Sequence, residues 1–145
     1  MIDRIAMGKE LCRITERLPR RLWFPVSNGP EEYSTLLAST VTGMPVFMGA
    51  SDTSIFYNPW GNILQRAVHD TLHLALQCNF TLEGEYRVAV EQSRLYGQWS
   101  SLAAEVMFAD LRGQALYFDY HKEFPVDQIG FVYHWLVTKD VTRRF

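Results

Sequence analysis

The chain has 145 residues, close to the roughly 150 residues of a typical domain, so we expect a single domain over residues 1–145. Its 48% hydrophobic and 14% aromatic content excludes a disordered or low-complexity chain. Lys and Arg total 14 against 16 Asp and Glu, and this net charge of -2 offers no basic field that would attract nucleic acid.

The first third of the chain predicts two helices and a small amount of extended structure. Apolar residues at positions 7, 11, 14 and 18 recur at helical spacing. The predicted elements are, in order, a helix over Met7 to Leu18, an extended segment over 20–29, a short helix from Pro30 through Tyr33, Leu36, Leu37 and Val41 to a stop at Gly43, and a hairpin or ordered loop over 44–57.

The rest of the chain predicts helices only. They are a helix from Pro59 to about Cys78, a helix capped by Thr81 and running to about Tyr96, a stretch from Ser101 to about Phe118 that Gly113 could break, and a last helix from Pro125 to about Lys139. The sequence therefore predicts a mainly α domain with a minor β element near residues 44–57. No apolar run approaches the about 18 residues that cross a bilayer, and the charged first dozen residues differ from a signal peptide, so we expect a cytoplasmic protein.

The third predicted helix carries a histidine pair at metal-binding spacing. His69 and His73 are four residues apart and Asp70 follows the first, so all three lie on one helical face. Arg66 shares this polar stripe, which is only about 100° wide on an otherwise apolar helix. Such a stripe also fits the water-facing side of an amphipathic helix, and that alternative stays open.

The fourth predicted helix contains an acidic residue on its inward face. Its charged strip comprises Glu83, Arg87, Glu91 and Arg94. Glu85 falls instead with Gln92 among apolar residues, where an ionised carboxylate would cost several kcal/mol unless it is paired, protonated or bound to a metal. A salt bridge to an arginine such as Arg66 is the alternative explanation for Glu85.

A third polar group follows further along the chain. Asp110, Gln114 and His121 lie within roughly 40° of one another if a single helix persists through the segment. Glu105 is a competing carboxylate on a neighbouring rotation, and a surface position with a helix stop at Gly113 is an equally good interpretation.

These three groups together predict a divalent-metal site. His69, His73, Glu85 and Asp110 are the candidate ligands, and a Zn, Mn or Fe ion with an open coordination position is the expected cofactor. Asp70 or the remaining carboxylate would act as general base toward an acidified water, and Arg66 would hold an anionic group of the substrate. Gln114 completes the catalytic candidates. The predicted function is a metal-dependent hydrolase for a small anionic or nucleotide-like substrate.

Several short motifs occur in a characteristic order. They are H-D-x-x-H at 69–73, F-x-x-x-G-E at 80–85 and D-x-x-G-Q at 110–114. Their succession resembles a group of small uncharacterised proteins encoded by tailed bacteriophages, in which Glu is common at the position of Asp110. The resemblance implies a phage origin, action inside an infected bacterium, and added weight on these residues, but no reaction. The His-Asp doublet is also similar to that of HD-domain phosphohydrolases, although no histidine precedes His69 to supply their first ligand.

A second class of function remains open from the sequence. The chain would then be a non-enzymatic phage protein that binds and inhibits a host enzyme or defence complex. In that case the histidine helix would be structural, or would hold a folding metal with a closed coordination sphere. The expected partner is therefore either a small anionic molecule or a host protein.

Overall fold

The computed structural model describes residues 1–30, 32–39, 43–51 and 53–145. The mainly α fold with a minor β element is confirmed. Its elements are α1 (Arg4–Arg17), β1 (Trp23–Val26), α2 (Tyr33–Ala38), β2 (Met44–Phe47), α3 (Pro59–Leu76), α4 (Leu82–Tyr96), α5 (Ser101–Phe108), a π-helical turn (Ala109–Gly113), α6 (Gln114–His121) and α7 (Gln128–Thr138). Within the described part of the chain, none of the helices has both the length and the apolar character needed to cross a membrane.

The β element differs from the hairpin predicted over residues 44–57. β2 pairs in parallel with β1, in a register that places Trp23 opposite Met44. Parallel neighbours need a crossover connection, and α2 lies within it. Gly43 takes a left-handed φ of +100° where the chain enters β2. Val41, which we predict in the second helix, lies outside the described residues.

The helical hairpin of α3 and α4 agrees closely with the prediction because its ends are encoded locally. Asn58 accepts a hydrogen bond from the backbone N–H of Trp60 and precedes Pro59, the first residue of α3. α3 ends at Leu76, after which Gln77 adopts a left-handed conformation with φ 54°. The hydroxyl of Thr81 then caps α4 by accepting a hydrogen bond from Gly84 N–H.

Gly113 does not break the helical stretch that begins at Ser101. α5 continues through the π-helical turn into α6, which extends to His121 rather than ending near Phe118. A Cβ atom on Gly113 would lie 3.0 Å from the Trp135 ring, so glycine allows α7 to pack closely here. α7 begins at Gln128, later than the predicted Pro125, because Asp127 provides the cap by accepting from Gly130 N–H at 2.9 Å.

Two apolar clusters hold these elements together. The larger joins α1, α5, the π-helical turn and α7, whereas the smaller joins α2, β2 and one side of α3. α3 contributes Val68 to the first cluster and Ala67 to the second. The polar face of α3 packs against α4, where the candidate site lies.

Candidate metal centre

His69, His73 and Glu85 meet between α3 and α4. Nε2 of His69 lies 3.0 Å from Oε2 of Glu85 and 3.2 Å from Nε2 of His73, and the distance from His73 Nε2 to the same carboxylate oxygen is 3.2 Å. The side chain of His73 is fully buried, and those of His69 and Glu85 are 18% and 29% exposed. The water-facing interpretation of the α3 stripe is therefore wrong for this pair.

The alternative pairing of Glu85 with Arg66 is also wrong. Nη1 of Arg66 donates to the backbone carbonyls of Phe47, at 2.8 Å, and Gly49, at 2.5 Å. The guanidinium also lies over the Phe47 ring, 5.1 Å from its centroid. β2 and the loop after it thus hold Arg66, and Glu85 is left to the two imidazoles.

The spacing of the three ligand atoms fits a metal ion. Metal bonds of about 2.0–2.2 Å place neighbouring ligand atoms about 2.8–3.6 Å apart, with the lower values in facial octahedral and the higher values in tetrahedral coordination. The observed edges of 3.0, 3.2 and 3.2 Å fall within that range. The group of His69, His73 and Glu85 can therefore hold a divalent ion, and two nitrogens with one oxygen are a donor set that Zn, Mn and Fe accept.

Hydrogen bonds at the far side of each ring fix the imidazole tautomers. Nδ1 of His73 lies 2.8 Å from the backbone carbonyl of Cys78, which can only accept. Nδ1 of His69 lies 2.9 Å from Oε1 of Gln92. Both rings accordingly carry hydrogen on Nδ1, so in their neutral form both Nε2 atoms present lone pairs to Glu85.

A chain of buried polar side chains, here called the amide relay, sets the orientation of Gln92. Its Nε2 donates to Gln65 at 3.1 Å, Gln65 to Asn62 at 3.3 Å, Asn62 to Ser51 at 3.1 Å, and the Ser51 hydroxyl to the Gly49 carbonyl at 3.2 Å. Every bond points the same way because the peptide carbonyl at the end cannot donate. The relay thus presents an acceptor oxygen to His69.

When both imidazoles are neutral, three acceptor atoms therefore converge with no donor among the three, and a proton on Nε2 of His69 supplies one. Burial disfavours a charged His69, but the hydrogen bond and negative charge of Glu85 outweigh burial and raise the pKa of His69 to about 9. Burial alone would raise the pKa of Glu85. The hydrogen bonds and positive charge of His69 and His73 outweigh burial and hold the pKa of that carboxyl far below its ordinary value. A cation, whether proton or metal, is what this geometry requires.

The ligand group borders a cavity of about 630 Å³. Its wall combines charged, amide and aromatic side chains from several elements. Among them are Phe47, Asn62, Gln65, Arg66, His69, Asp70, Phe80, Glu85, Asp110, Gln114, Phe118, Asp119, Lys122, Phe124 and Gln128. The predicted residues Arg66, Asp70, Asp110 and Gln114 therefore share one cavity with two of the three ligand residues.

Asp110 enters the cavity from the π-helical turn. It is only 7% exposed, and Nε2 of Gln114 donates to its Oδ1 at 2.7 Å. Burial raises the pKa of Asp110 to about 6, against the opposing effects of Gln114, Arg66 and His69. Asp110 is not one of the three converging ligands, so its assignment as a fourth ligand stays a prediction.

The other acidic and histidine candidates occupy different positions. Asp70 is half-buried in the cavity wall, and burial raises the pKa of its carboxyl. Glu105 is exposed and does not line the cavity. His121, predicted on the same stripe as Asp110, instead bonds through Nε2 to the carbonyl of Val141 at 2.7 Å.

Sequence reasoning misses most of the amide relay. Gln92 is recognisable on the inward face of α4 and Asn62 on the stripe of α3, but Gln65 and Ser51 carry no signal of their own. Gln65 lies four residues before His69, a spacing that places the two side chains on adjacent turns of α3.

Comparisons of this chain with protein-family models, with curated proteins and with solved structures find no match.

Proposed function

We propose that this protein is a divalent-metal-dependent hydrolase that acts on a small anionic substrate. One observation carries the proposal: three ligand atoms 3.0–3.2 Å apart face one another at the wall of a 630 Å³ cavity. A purely structural ion pair between α3 and α4 would need only one imidazole. The second imidazole, with its own tautomer-fixing hydrogen bond, gives the donor set of a metal site.

In this proposal His69, His73 and Glu85 hold a Zn, Mn or Fe ion. When bound, such an ion supplies Lewis acidity, which makes a water molecule acidic enough to lose its proton near neutral pH. Three protein ligands would leave further coordination positions of such an ion for water or substrate, and His69 and Glu85 both line the cavity from which these would come.

We assign the general base to Asp110. A pKa of about 6 leaves this carboxyl ionised at neutral pH yet basic enough to accept a proton from water. The bond from Gln114 occupies Oδ1 and leaves Oδ2 for that proton. Asp70 is the other carboxylate able to fill this role, because it lines the same cavity and burial also raises its pKa.

Arg66 would bind the negative group of the substrate. Among the described residues, only its Nη1 is engaged in hydrogen bonds, which leaves the N–H groups on Nε and Nη2 for an anion in the cavity. The resemblance to phage-encoded proteins supports the further proposal that the reaction takes place inside an infected bacterium.

Metal binding tests the proposal directly. Protein freed of metal with a chelator would be titrated with Zn²⁺, Mn²⁺ and Fe²⁺ by calorimetry, with metal content confirmed by mass spectrometry. We expect one equivalent in the natural chain, and at least tenfold weaker binding in Glu85→Gln and in His73→Gln. His134→Gln is the matched control, because His134 is half-buried but does not line the cavity.

Two results would overturn the proposal. If all four proteins bind equal, negligible amounts of metal and circular dichroism shows that they are folded, the proposed metal site does not exist. A second result would be one bound metal with a closed coordination sphere and no hydrolysis of phosphate or carboxylate esters by the metal-loaded protein. This result would rule out the enzymatic function and favour a non-enzymatic binding protein. Hydrolysis that is lost in Asp110→Asn while metal binding persists supports the full proposal.

A further inference from the structure

We propose that the cavity takes a ligand in which an anionic group is joined to a flat aromatic ring, the composition of a nucleoside monophosphate. The inference rests on the proposed function for the anionic end of the ligand. It adds a binding role for two phenylalanines that neither the metal nor the hydrolytic chemistry uses. The polarity of the cavity changes from its buried end to its open end.

The buried end of the cavity is polar. Asp110, Asn62 and Gln65 are each no more than 7% exposed and line it together with Arg66. Arg66 supplies the positive charge at this end, next to the metal ligand His69 on α3. A phosphate or carboxylate group entering the cavity would find its hydrogen-bond donors and its counter-charge in the Nε and Nη2 groups of Arg66.

The open end of the cavity is aromatic. Phe118 on α6 and Phe124 in the following loop are 43% and 58% exposed, and their ring centroids are 4.8 Å apart at an interplanar angle of 33°. Phe47, at 39% exposure, also lines the cavity. Large apolar rings exposed beside a polar pocket are typical of a surface that a ligand covers.

Ring stacking is the contact that such a surface favours. Exposed phenylalanines bind flat rings through their π-faces whatever the pattern of ring substituents. Lys122 lies between Phe118 and Phe124 in the chain, but its Nζ is 3.9 Å from Oδ1 of Asp119 in the same cavity wall, so this pair adds no net charge near this end. A ligand with a flat apolar body and a negative head therefore complements both ends, and about 630 Å³ accommodates one nucleotide-sized molecule.

The test compares two probes that share a phosphate and differ in the ring. Adenosine 5′-monophosphate and ribose 5-phosphate would be titrated into Asp110→Asn protein loaded with metal, in which turnover is blocked. We expect the nucleotide to bind at least about tenfold more tightly, the range that stacking on an aromatic side chain provides. In Phe118→Ala/Phe124→Ala the difference should fall to about twofold.

Tyr120→Ala is the matched control. Tyr120 is an aromatic residue on the same helix, 59% exposed, and it does not line the cavity. It should leave the tenfold preference unchanged. If the double variant fails to fold, Phe124→Ser alone serves, because Phe124 lies in a loop and is the more exposed of the two rings.

The inference is overturned if the natural cavity binds both probes equally, or if the preference persists without the two rings. This failure is distinguishable from failure of the proposed function because metal content is measured in the same samples. If the chain binds no metal, the two probes are compared in metal-free protein, where Arg66 still provides the anion contact. A ring preference that depends on Phe118 and Phe124 there supports the ligand class without the metal.

Discussion

Replacing Asp110 by asparagine should stabilise the metal-free protein by an amount that grows as the pH rises from about 4 to about 6. Asp110 is 7% exposed, and burial raises the pKa of its carboxyl from the ordinary 3.8 to about 6. A folded-state pKa above the unfolded one means that folding favours the protonated acid. The stability that this acid contributes is fully present below pH 3.8 and is lost as the pH rises through about 6.

The expected size of this effect follows from the two pKa values. Their difference, from 3.8 to about 6, corresponds to about 3 kcal/mol of unfolding free energy lost by pH 8. Asp110→Asn removes the titration and keeps an oxygen that can accept the 2.7 Å bond from Nε2 of Gln114. We therefore expect the variant to be about 2–3 kcal/mol more stable than the natural chain at pH 8.

Urea denaturation in the presence of a chelator, at intervals from pH 4 to pH 8, measures this difference. The stabilities of the two proteins should differ by only about 0.5 kcal/mol at pH 4, separate between pH 4 and pH 6, and differ by a nearly constant amount above pH 6. Gln114→Glu is unsuitable as a control because it adds a second acid, whereas Asp119→Asn removes an exposed carboxylate from the same cavity wall and should leave the pH profile unchanged. A difference that is absent at pH 8, or equally large at pH 4, would refute the argument from burial.

Three further substitutions test the packing and the relay around the site. Gln92→Leu removes the acceptor for His69 Nδ1 and should weaken zinc binding about 10–100-fold by calorimetry, while Gln98→Leu on the exposed loop changes nothing. Tyr96→Phe deletes the buried 2.5 Å bond between its hydroxyl and Thr15, so urea denaturation should show a loss of about 1–2 kcal/mol. Gly113→Ala places a Cβ atom 3.0 Å from an aromatic ring of α7 and should cost about 1–3 kcal/mol, visible as a lower melting temperature. An unaltered affinity in the first case, or unaltered stability in the others, would contradict these expectations.

The three converging ligands could be predicted because helix geometry places them on the facing sides of two neighbouring helices. The caps at Asn58 and Thr81 fix where α3 and α4 begin, and rotation by about 100° per residue then places His69 and His73 on one face and Glu85 on the inward face of the next helix. Two consecutive helices joined by a short connection pack side by side. The inward polar residues of α3 and α4 are therefore expected to face each other.

The strand pairing and the amide relay depend on longer-range information. Runs as short as Trp23–Val26 and Met44–Phe47 carry no signal that selects a partner strand or its direction. The sequence therefore does not predict the parallel pairing of β1 with β2. Likewise, periodicity places Gln65 and Gln92 on faces of α3 and α4 but does not give the height at which the helices cross. Only the observed crossing brings Gln92 Nε2 within 3.1 Å of Gln65 Oε1.

The π-helical turn explains why one predicted stripe divides. Asp110 and His121 are eleven residues apart, which returns them to the same face of an uninterrupted α-helix. A π-helical turn inserts about one extra residue, and this delays every later side chain by about 100°. Gln114, at the end of the turn, still reaches Asp110, but His121 is carried to another face, where it bonds to Val141. The same irregularity holds Asp110 in the cavity beside Gly113 and α7. A substitution that restored a regular α-helix here would therefore move the carboxylate while leaving the three metal ligands in place.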